Sequence, residues 1–271
     1  MTPATAASRL AYAPNISWLL SDLPFGERPA ALAQAGFTAL EFGFPSHADI
    51  PALEVARRAL GLEIVLFNQD VPVWDASNRG YLVDLRRRAE FERTLSDALD
   101  IASRLGVRKV MLPSGVEVEG EPRETQRVCM VANLRAAAPK AERAGVILTI
   151  EVLNPVDNPG YFLISPEEAL AIVGEVNHPH VRFQLDSYHV TLMGSDPLRL
   201  VREHAPLIGH IQFADVPGRH EPGTGKIDFA ALLATAEAAG YRGYIGLEYI
   251  PQAAGLGALA WVPPDRRRLT S

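Results

Sequence analysis

The sequence predicts a single-domain α/β protein of the (β/α)8 TIM barrel class. Eight short runs rich in β-branched or aromatic residues alternate with helical patterns, which is typical of parallel strands joined by right-handed crossovers. Glycine follows five of the helical patterns, where a left-handed helix end is favoured. The turn after the first strand (SWLLSDLPF) has no glycine, which disfavours a doubly wound nucleotide-binding sheet.

The predicted elements follow one another in strand–helix order. The strands span residues 12–17, 39–42, 63–68, 109–112, 147–151, 182–186, 208–213 and 244–248. The clearest helices span residues 28–35, 51–60, 84–105, 124–143 and 229–239. Another helix should begin at Ser165, because serine is a favoured N-cap, Pro166 suits the first helical position and Glu168 completes a capping box. The loop of residues 70–80 could lie over the barrel mouth, with Trp74 as a cover or a packed anchor.

Composition narrows the class of protein. With 271 residues and 48% apolar content, the chain suits one barrel domain over residues 1–271, with a lead-in at 1–11 and a tail at 263–271. No run of 18 apolar residues predicts a membrane span, and the single Cys129 suits a cytoplasmic protein. The net charge of −6 disfavours nucleic acid as a partner; the Arg86–Arg88 cluster is expected to be a salt-bridged helix face.

Four oxygen-bearing side chains lie at the ends of predicted strands. They are Glu151, Asp186, Gln212 and Glu248, which are 35, 26 and 36 residues apart. Because the carboxyl ends of barrel strands meet at one mouth, we expect these four side chains to converge. Three crowded carboxylates need a cation or shared protons to offset their repulsion. A hard divalent metal bound by oxygen ligands meets this need.

Two glutamates beside a metal-bound substrate suit proton transfer between adjacent carbons. Glu151 and Glu248 are therefore the expected acid/base pair, in an aldose–ketose isomerisation or an epimerisation through an enediolate. His189 could donate to a substrate oxygen, and Arg219 has the planar fork suited to a substrate carboxylate. His210 shares a strand face with Gln212 but lies deeper, which predicts an orienting group rather than a ligand. The turn of residues 223–225 (GTG) is expected to help hold the substrate end.

Longer segments resemble a known family. They are NIS (15–17), AGFTALEF (35–42), LFN (66–68), WD (74–75), RG (79–80), IEVLN (150–154), PGYF (159–162), DSYH (186–189), IGHIQFADVPGRHEPGTG (208–225) and GLEY (246–249). Together they resemble the hydroxypyruvate isomerase family, within the xylose isomerase-like barrel superfamily of sugar isomerases and epimerases. The similarity runs from about residue 12 to residue 262.

The resemblance implies interconversion of hydroxypyruvate and 2-hydroxy-3-oxopropanoate without a nicotinamide or flavin cofactor. It implies Mg²⁺ or Mn²⁺ bound at Glu151, Asp186, Gln212 and Glu248, with the two glutamates as acid and base. The related ketose epimerases carry His where this chain has Gln212, and an amide oxygen favours Mg²⁺ over Zn²⁺. The family commonly has a basic residue where this chain has Ile250, which leaves the substrate open.

Several alternatives remain at this level. Within the same chemistry, the chain could be a 2-oxo-tetronate isomerase or a ketose 3-epimerase. Two further alternatives do not share this chemistry: a barrel endonuclease and a non-catalytic sugar-acid binding protein. The expected partner is a small hydroxy-oxo acid rather than nucleic acid or a membrane, and homo-oligomerisation is left open.

Overall fold

The computed structural model describes residues 10–269 and contains nine strands and eight α-helices within that range. The strands are β1 Leu10–Pro14, β2 Ala39–Leu40, β3 Glu63–Ile64, β4 Phe67–Asn68, β5 Lys109–Met111, β6 Ile147–Glu151, β7 Val181–Asp186, β8 Ile208–Phe213 and β9 Gly243–Leu247. The helices are α1 Arg28–Gln34, α2 Ile50–Leu60, α3 Arg88–Leu105, α4 Arg123–Ala144, α5 Pro166–Val176, α6 Ser187–Leu192, α7 Pro197–His204 and α8 Phe229–Ala238.

The strands form a closed parallel barrel. One run of seven strands follows the order β1-β9-β8-β7-β6-β5-β4, and β2 pairs with β3. Backbone hydrogen bonds from Ile16 to Glu41 (2.9 Å) and from Phe42 to Leu66 (3.2 Å) join β2 to its neighbours on both sides. The predicted (β/α)8 barrel is thereby confirmed. The third predicted strand is broken into β3 and β4, which flank Val65 and Leu66.

Local signals set most helix ends. Helices α2, α3 and α4 each end at a glycine in the left-handed conformation, as the sequence predicts. The hydroxyl of Ser165 accepts a hydrogen bond from the amide of Glu168 (3.2 Å), so the predicted N-cap of α5 is confirmed. Among the described residues, no helix has both the length and the apolar composition that crossing a bilayer requires.

Apolar side chains form two separate layers. The larger layer lies between strands and helices, whereas a small cluster fills the barrel lumen with Ala11, Ala13, Ala39, Val65, Leu66, Met111 and Tyr244. These lumen residues are mostly small, and Gly246 has no side chain at all. A Cβ at position 246 would lie 2.4 Å from a carboxylate oxygen of Glu41. The lumen therefore has room for a buried acid.

Both ends of the described chain pack on the barrel. Strand β1 begins at Leu10, inside the predicted lead-in, of which residues 1–9 lie outside the described range. In the predicted tail, Arg266 forms a 2.7 Å salt bridge with Glu237, and Arg267 donates to the carbonyl of Ala35 (2.8 Å). These arginines thus tie residues 263–269 to the barrel, and residues 270–271 lie outside the described range.

The cluster Arg86–Arg88 is paired with acids, as expected from the sequence. Arg86 contacts Asp84 at 2.9 Å, Arg87 contacts Glu90 at 2.7 Å, and Arg88 contacts Glu92 at 3.0 Å. Exposed pairs of this kind contribute little to stability. Because each arginine is paired with an acid, the cluster does not form a basic patch that could bind a nucleic-acid backbone.

Candidate active site

The four strand-end residues meet at the carboxyl end of the barrel. Glu151 ends β6, Asp186 ends β7, Gln212 lies in β8 and Glu248 directly follows β9. The amide of Gln212 donates to Glu248 at 2.8 Å. Gln184, one strand over, donates to both Glu151 (3.3 Å) and the amide oxygen of Gln212 (2.8 Å). The expected convergence is therefore present, and the roles of the four remain predictions.

Arg219 bridges two of the converging acids. Its Nη2 donates to Asp186 at 3.2 Å and to Glu248 at 2.7 Å, and its guanidinium carbon lies 4.4 Å from the ring centroid of Trp18. Its Nε donates to the carbonyl of Glu248 (3.4 Å), whereas Nη1 has no hydrogen bond to any residue between 10 and 269. One face of the fork thus neutralises acids, and Nη1 stays available for a substrate carboxylate.

His189 is a buried neutral donor. Its Nδ1 accepts from the backbone amide of Asn154 (3.2 Å) and lies 2.8 Å from the side-chain nitrogen of the same residue. The ring proton must then sit on Nε2, which lies 3.8 Å from Asp186. Burial lowers the pKa of His189 well below its ordinary value. Glu151, Asp186 and His189 offer ligand atoms within 4.8 Å of one another, but a protonated Nε2 makes His189 a hydrogen-bond donor.

Burial and crowding raise the pKa of each mouth carboxyl. For Glu151 the pKa is well above its ordinary value, mainly because of burial and then because of the charges of Glu248 and Asp186. Burial likewise raises the pKa of Asp186 and Glu248, and Arg219 counteracts part of that shift in both. The Oε1 of Glu151 is buried without a hydrogen-bond partner in the described part of the chain. An orphaned carboxylate oxygen among hard oxygen donors fits a divalent cation.

One acid at the site was missed by sequence reasoning. Glu41, fully buried, directly follows β2 and accepts hydrogen bonds from Gln212 (2.6 Å), His210 (2.8 Å) and Asn15 (3.3 Å). Burial raises the pKa of Glu41 to about 7. The available signal was its position, since Glu41 lies at the carboxyl end of its strand, as the four predicted residues do.

His210 lies deeper than Gln212, and both side chains contact the carboxylate of Glu41; the orienting role of His210 remains a prediction. Its Nε2 donates to Glu41, and its Nδ1 lies 3.4 Å from the Nζ of Lys109 near the base of the barrel. We call the four side chains Lys109, His210, Glu41 and Gln212 the lumen column. The column connects the barrel base to the mouth.

Backbone amides in and beside the segment HEPGTG (220–225) bind the side chain of Asp215. Asp215 accepts hydrogen bonds from five backbone amides at 2.7–3.1 Å, those of Val216, Gly223, Gly225, Lys226 and Ile227. The expectation that the GTG turn holds the substrate end was wrong, because the amides of Gly223 and Gly225 are already taken by Asp215. The turn instead anchors the loop that carries Arg219.

A cavity of about 820 Å³ opens at the carboxyl end of the barrel. Glu151, Glu248 and Arg219 lie at its floor, and aromatic side chains that include Trp18, Phe44 and Trp74 line its walls. The ring of Trp74 lies 5.2 Å from that of Phe44, so Trp74 is a packed wall residue of this cavity. Ile250, the position where the resemblance implies a basic residue, also lines it.

Comparison with known proteins agrees with the barrel fold. The model of the xylose isomerase-like TIM barrel family matches residues 29–263. The chain is 35% identical over 253 residues to a 2-oxo-tetronate isomerase of Cupriavidus necator, a match covering 93% of this chain and 97% of the relative. It is 34% identical over 257 residues to the hydroxypyruvate isomerase of Escherichia coli, covering 95% of this chain and all of the relative (100%).

A solved structure is similar over nearly the same length. A crystal structure described as AP endonuclease, family 2, from Brucella melitensis is 36% identical, with a TM-score of 0.88 over 93% of this chain and 97% of that one. The fold and the relatives agree with one another. The chain therefore belongs to the hydroxypyruvate isomerase family of xylose isomerase-like TIM barrels, and it is an isomerase.

Proposed function

We propose that this isomerase interconverts the aldose and ketose forms of a small hydroxy-oxo acid, with hydroxypyruvate and 2-hydroxy-3-oxopropanoate as the expected pair. One observation carries the proposal: the buried carboxyl of Glu151 and the partly buried carboxyl of Glu248 lie at the floor of one cavity, beside the cationic Arg219. The two relatives named as isomerases of hydroxypyruvate and of 2-oxo-tetronate support the same class of substrate. Isomerisation of a 2-oxo-tetronate is thus the nearest alternative, followed by 3-epimerisation of a ketose.

Glu151 and Glu248 transfer the protons. One of them removes a hydrogen from C3 of hydroxypyruvate, which leaves an enediolate, and a proton then returns to C2. A second proton moves from the hydroxyl on C3 to the oxygen on C2, so the reaction is balanced without a redox partner. The raised pKa of Glu151 favours this role, because a general acid/base works best when its pKa lies near the working pH. His189 supplies its Nε2 proton to a substrate oxygen, and Arg219 binds the carboxylate through Nη1.

Glu151, Asp186, Gln212 and Glu248 would hold a divalent ion, and their oxygen donors suit Mg²⁺ or Mn²⁺. When bound, such an ion polarises the substrate carbonyl and acidifies the neighbouring carbon-bound hydrogen. The unpaired Oε1 of Glu151 supports this assignment from the protein side. His210 and Glu41 act by orienting Gln212.

Solvent exchange tests the proposal. Purified protein with Mg²⁺ is incubated in D2O with hydroxypyruvate, a 2-oxo-tetronate or a ketohexose, and deuterium incorporation is followed by NMR. We expect exchange at C3 of hydroxypyruvate together with formation of the aldehyde. Exchange confined to C3 of the ketohexose would instead identify an epimerase. Absence of exchange in every substrate, in protein shown to bind Mg²⁺, would falsify proton transfer at this site.

A second candidate comes from the solved relative described as an AP endonuclease. Binding a DNA backbone needs a basic surface, whereas this chain has a net charge of −6 and an acidic cavity floor. Incubation with abasic-site DNA checks the alternative, and we expect no nicking at enzyme concentrations that give full isomerase turnover.

A further inference from the structure

A second cavity lies at the opposite end of the barrel from the candidate active site. It has a volume of about 340 Å³ and lies beside the amino-terminal ends of β5 to β8. We call it the basal pocket; the side chains that matter here are Lys109, Arg182 and Arg242, with Ile147, Gly209 and Tyr241 as walls. Its position separates it from every residue assigned to proton transfer.

The lining of the basal pocket carries three cationic side chains and no acidic one. Arg182 donates from Nη1 to the carbonyls of His178 (2.9 Å) and Val181 (2.8 Å). Arg242 likewise donates from Nη1 to the carbonyls of Glu237 (2.9 Å) and Tyr241 (2.7 Å). Within residues 10–269, neither guanidinium has a carboxylate partner, and each keeps its Nη2 for another acceptor.

Arg182 is held in place by the strand beside it. The pairing of β7 with β8 shifts register between Phe183 and Gln184, and a Cβ at Gly209 would lie only 2.6 Å from the Cβ of Arg182. The stem of Arg182 therefore lies against a residue that must be glycine. Burial lowers the pKa of Arg182, and no acid offsets that burial. A partly buried cation without a counter-ion is unfavourable, and a bound anion would relieve this cost.

We propose that the basal pocket binds a phosphate-sized oxyanion, contacted by the free guanidinium nitrogens of Arg182 and Arg242 and by the ammonium of Lys109. Guanidinium forks match the oxygens of a tetrahedral oxyanion, and charge-assisted hydrogen bonds are the strong ones. Lys109 is also the lowest member of the lumen column, with its Nζ 3.4 Å from His210. The bound anion therefore lies next to the lumen column, which reaches Gln212 at the mouth.

Calorimetric titration of the intact protein with inorganic phosphate tests the site, against sodium chloride at matched ionic strength. We expect saturable binding to the wild type and affinity about tenfold weaker in Arg182→Gln and in Arg242→Gln, because each loses one charge-assisted contact. Arg58→Gln is the matched control, since Arg58 is exposed on α2 and outside the pocket, and it should bind like the wild type. Tighter binding of glycerol 3-phosphate would assign a phosphoester as the ligand, and equal or weaker binding would assign the free anion.

Arg242 is exposed, so its variant should fold normally and decides the matter even if Arg182→Gln does not fold. Circular dichroism without phosphate checks the fold of each variant. The proposal is overturned if the wild type binds phosphate no better than chloride. It is equally overturned if folded Arg242→Gln binds phosphate as tightly as the wild type.

Discussion

The side-chain amide of Gln212 donates a 2.6 Å hydrogen bond to the carboxylate of Glu41, a residue 171 positions earlier in the chain. The same amide nitrogen donates to Glu248, and the amide oxygen accepts from Gln184. The orientation of Gln212 is therefore set by its neighbours on three sides. Because Gln184 also bonds Glu151, the amide oxygen lies on the Glu151 side of the mouth.

Replacing Glu41 by Gln should lower kcat by about 10- to 100-fold, the usual effect of losing a partner that orients a ligand. Glutamine offers one acceptor where Asn15, His210 and Gln212 present three donors. Steady-state kinetics with hydroxypyruvate and Mg²⁺ would measure the change. Glu119→Gln, at an exposed position, is the control and should keep wild-type kinetics. An unchanged kcat in Glu41→Gln would mean that the carboxylate of Glu41 is not needed to orient Gln212.

Glu151→Gln should reduce turnover by about 10²- to 10⁴-fold, the contribution expected of a general acid/base. The substitution keeps the shape of the side chain, so binding of the substrate acid should weaken much less than turnover. Single-turnover kinetics and equilibrium binding separate the two effects. A variant that turns over like the wild type would remove Glu151 from proton transfer.

Asp215→Asn should destabilise the fold by about 3 kcal/mol, because a carboxylate that accepts five backbone amides is replaced by a group that itself donates. Loosening this loop should also displace Arg219 and raise KM. Urea unfolding measures the first effect and kinetics the second. Asp100→Asn, an exposed change of the same chemistry on α3, should leave both values unaltered.

The free energy of unfolding should depend on pH through Lys109. Burial lowers the pKa of this ammonium from 10.5 to about 8, so between these pH values the unfolded chain holds a proton that the folded chain has released. Stability from this group therefore rises with pH across that window. The stability of the wild type relative to Lys109→Met should increase from pH 8 to pH 10 in urea titrations. A difference that stays constant would show that Lys109 titrates normally.

Much of the fold follows from short-range patterns. Strands Ile147–Glu151 and Ile208–Phe213 begin and end where the sequence predicts, because apolar runs and strand-end acids are local signals. Glu41 was missed because β2 is only two residues long and its acid is satisfied by residues from distant strands. The GTG turn was misassigned because a glycine-rich turn indicates an anion without saying which one, and Asp215 lies eight to ten residues earlier.

The missing side chain at position 246 has an evolutionary consequence. A methyl group there would overlap the carboxylate of Glu41, so position 246 cannot gain a side chain while Glu41 keeps its place. A related barrel with alanine or a larger residue at the equivalent of Gly246 should have lost the acid at the equivalent of Glu41. Covariation of these two positions would separate members that share this buried acid from barrels that share only the fold.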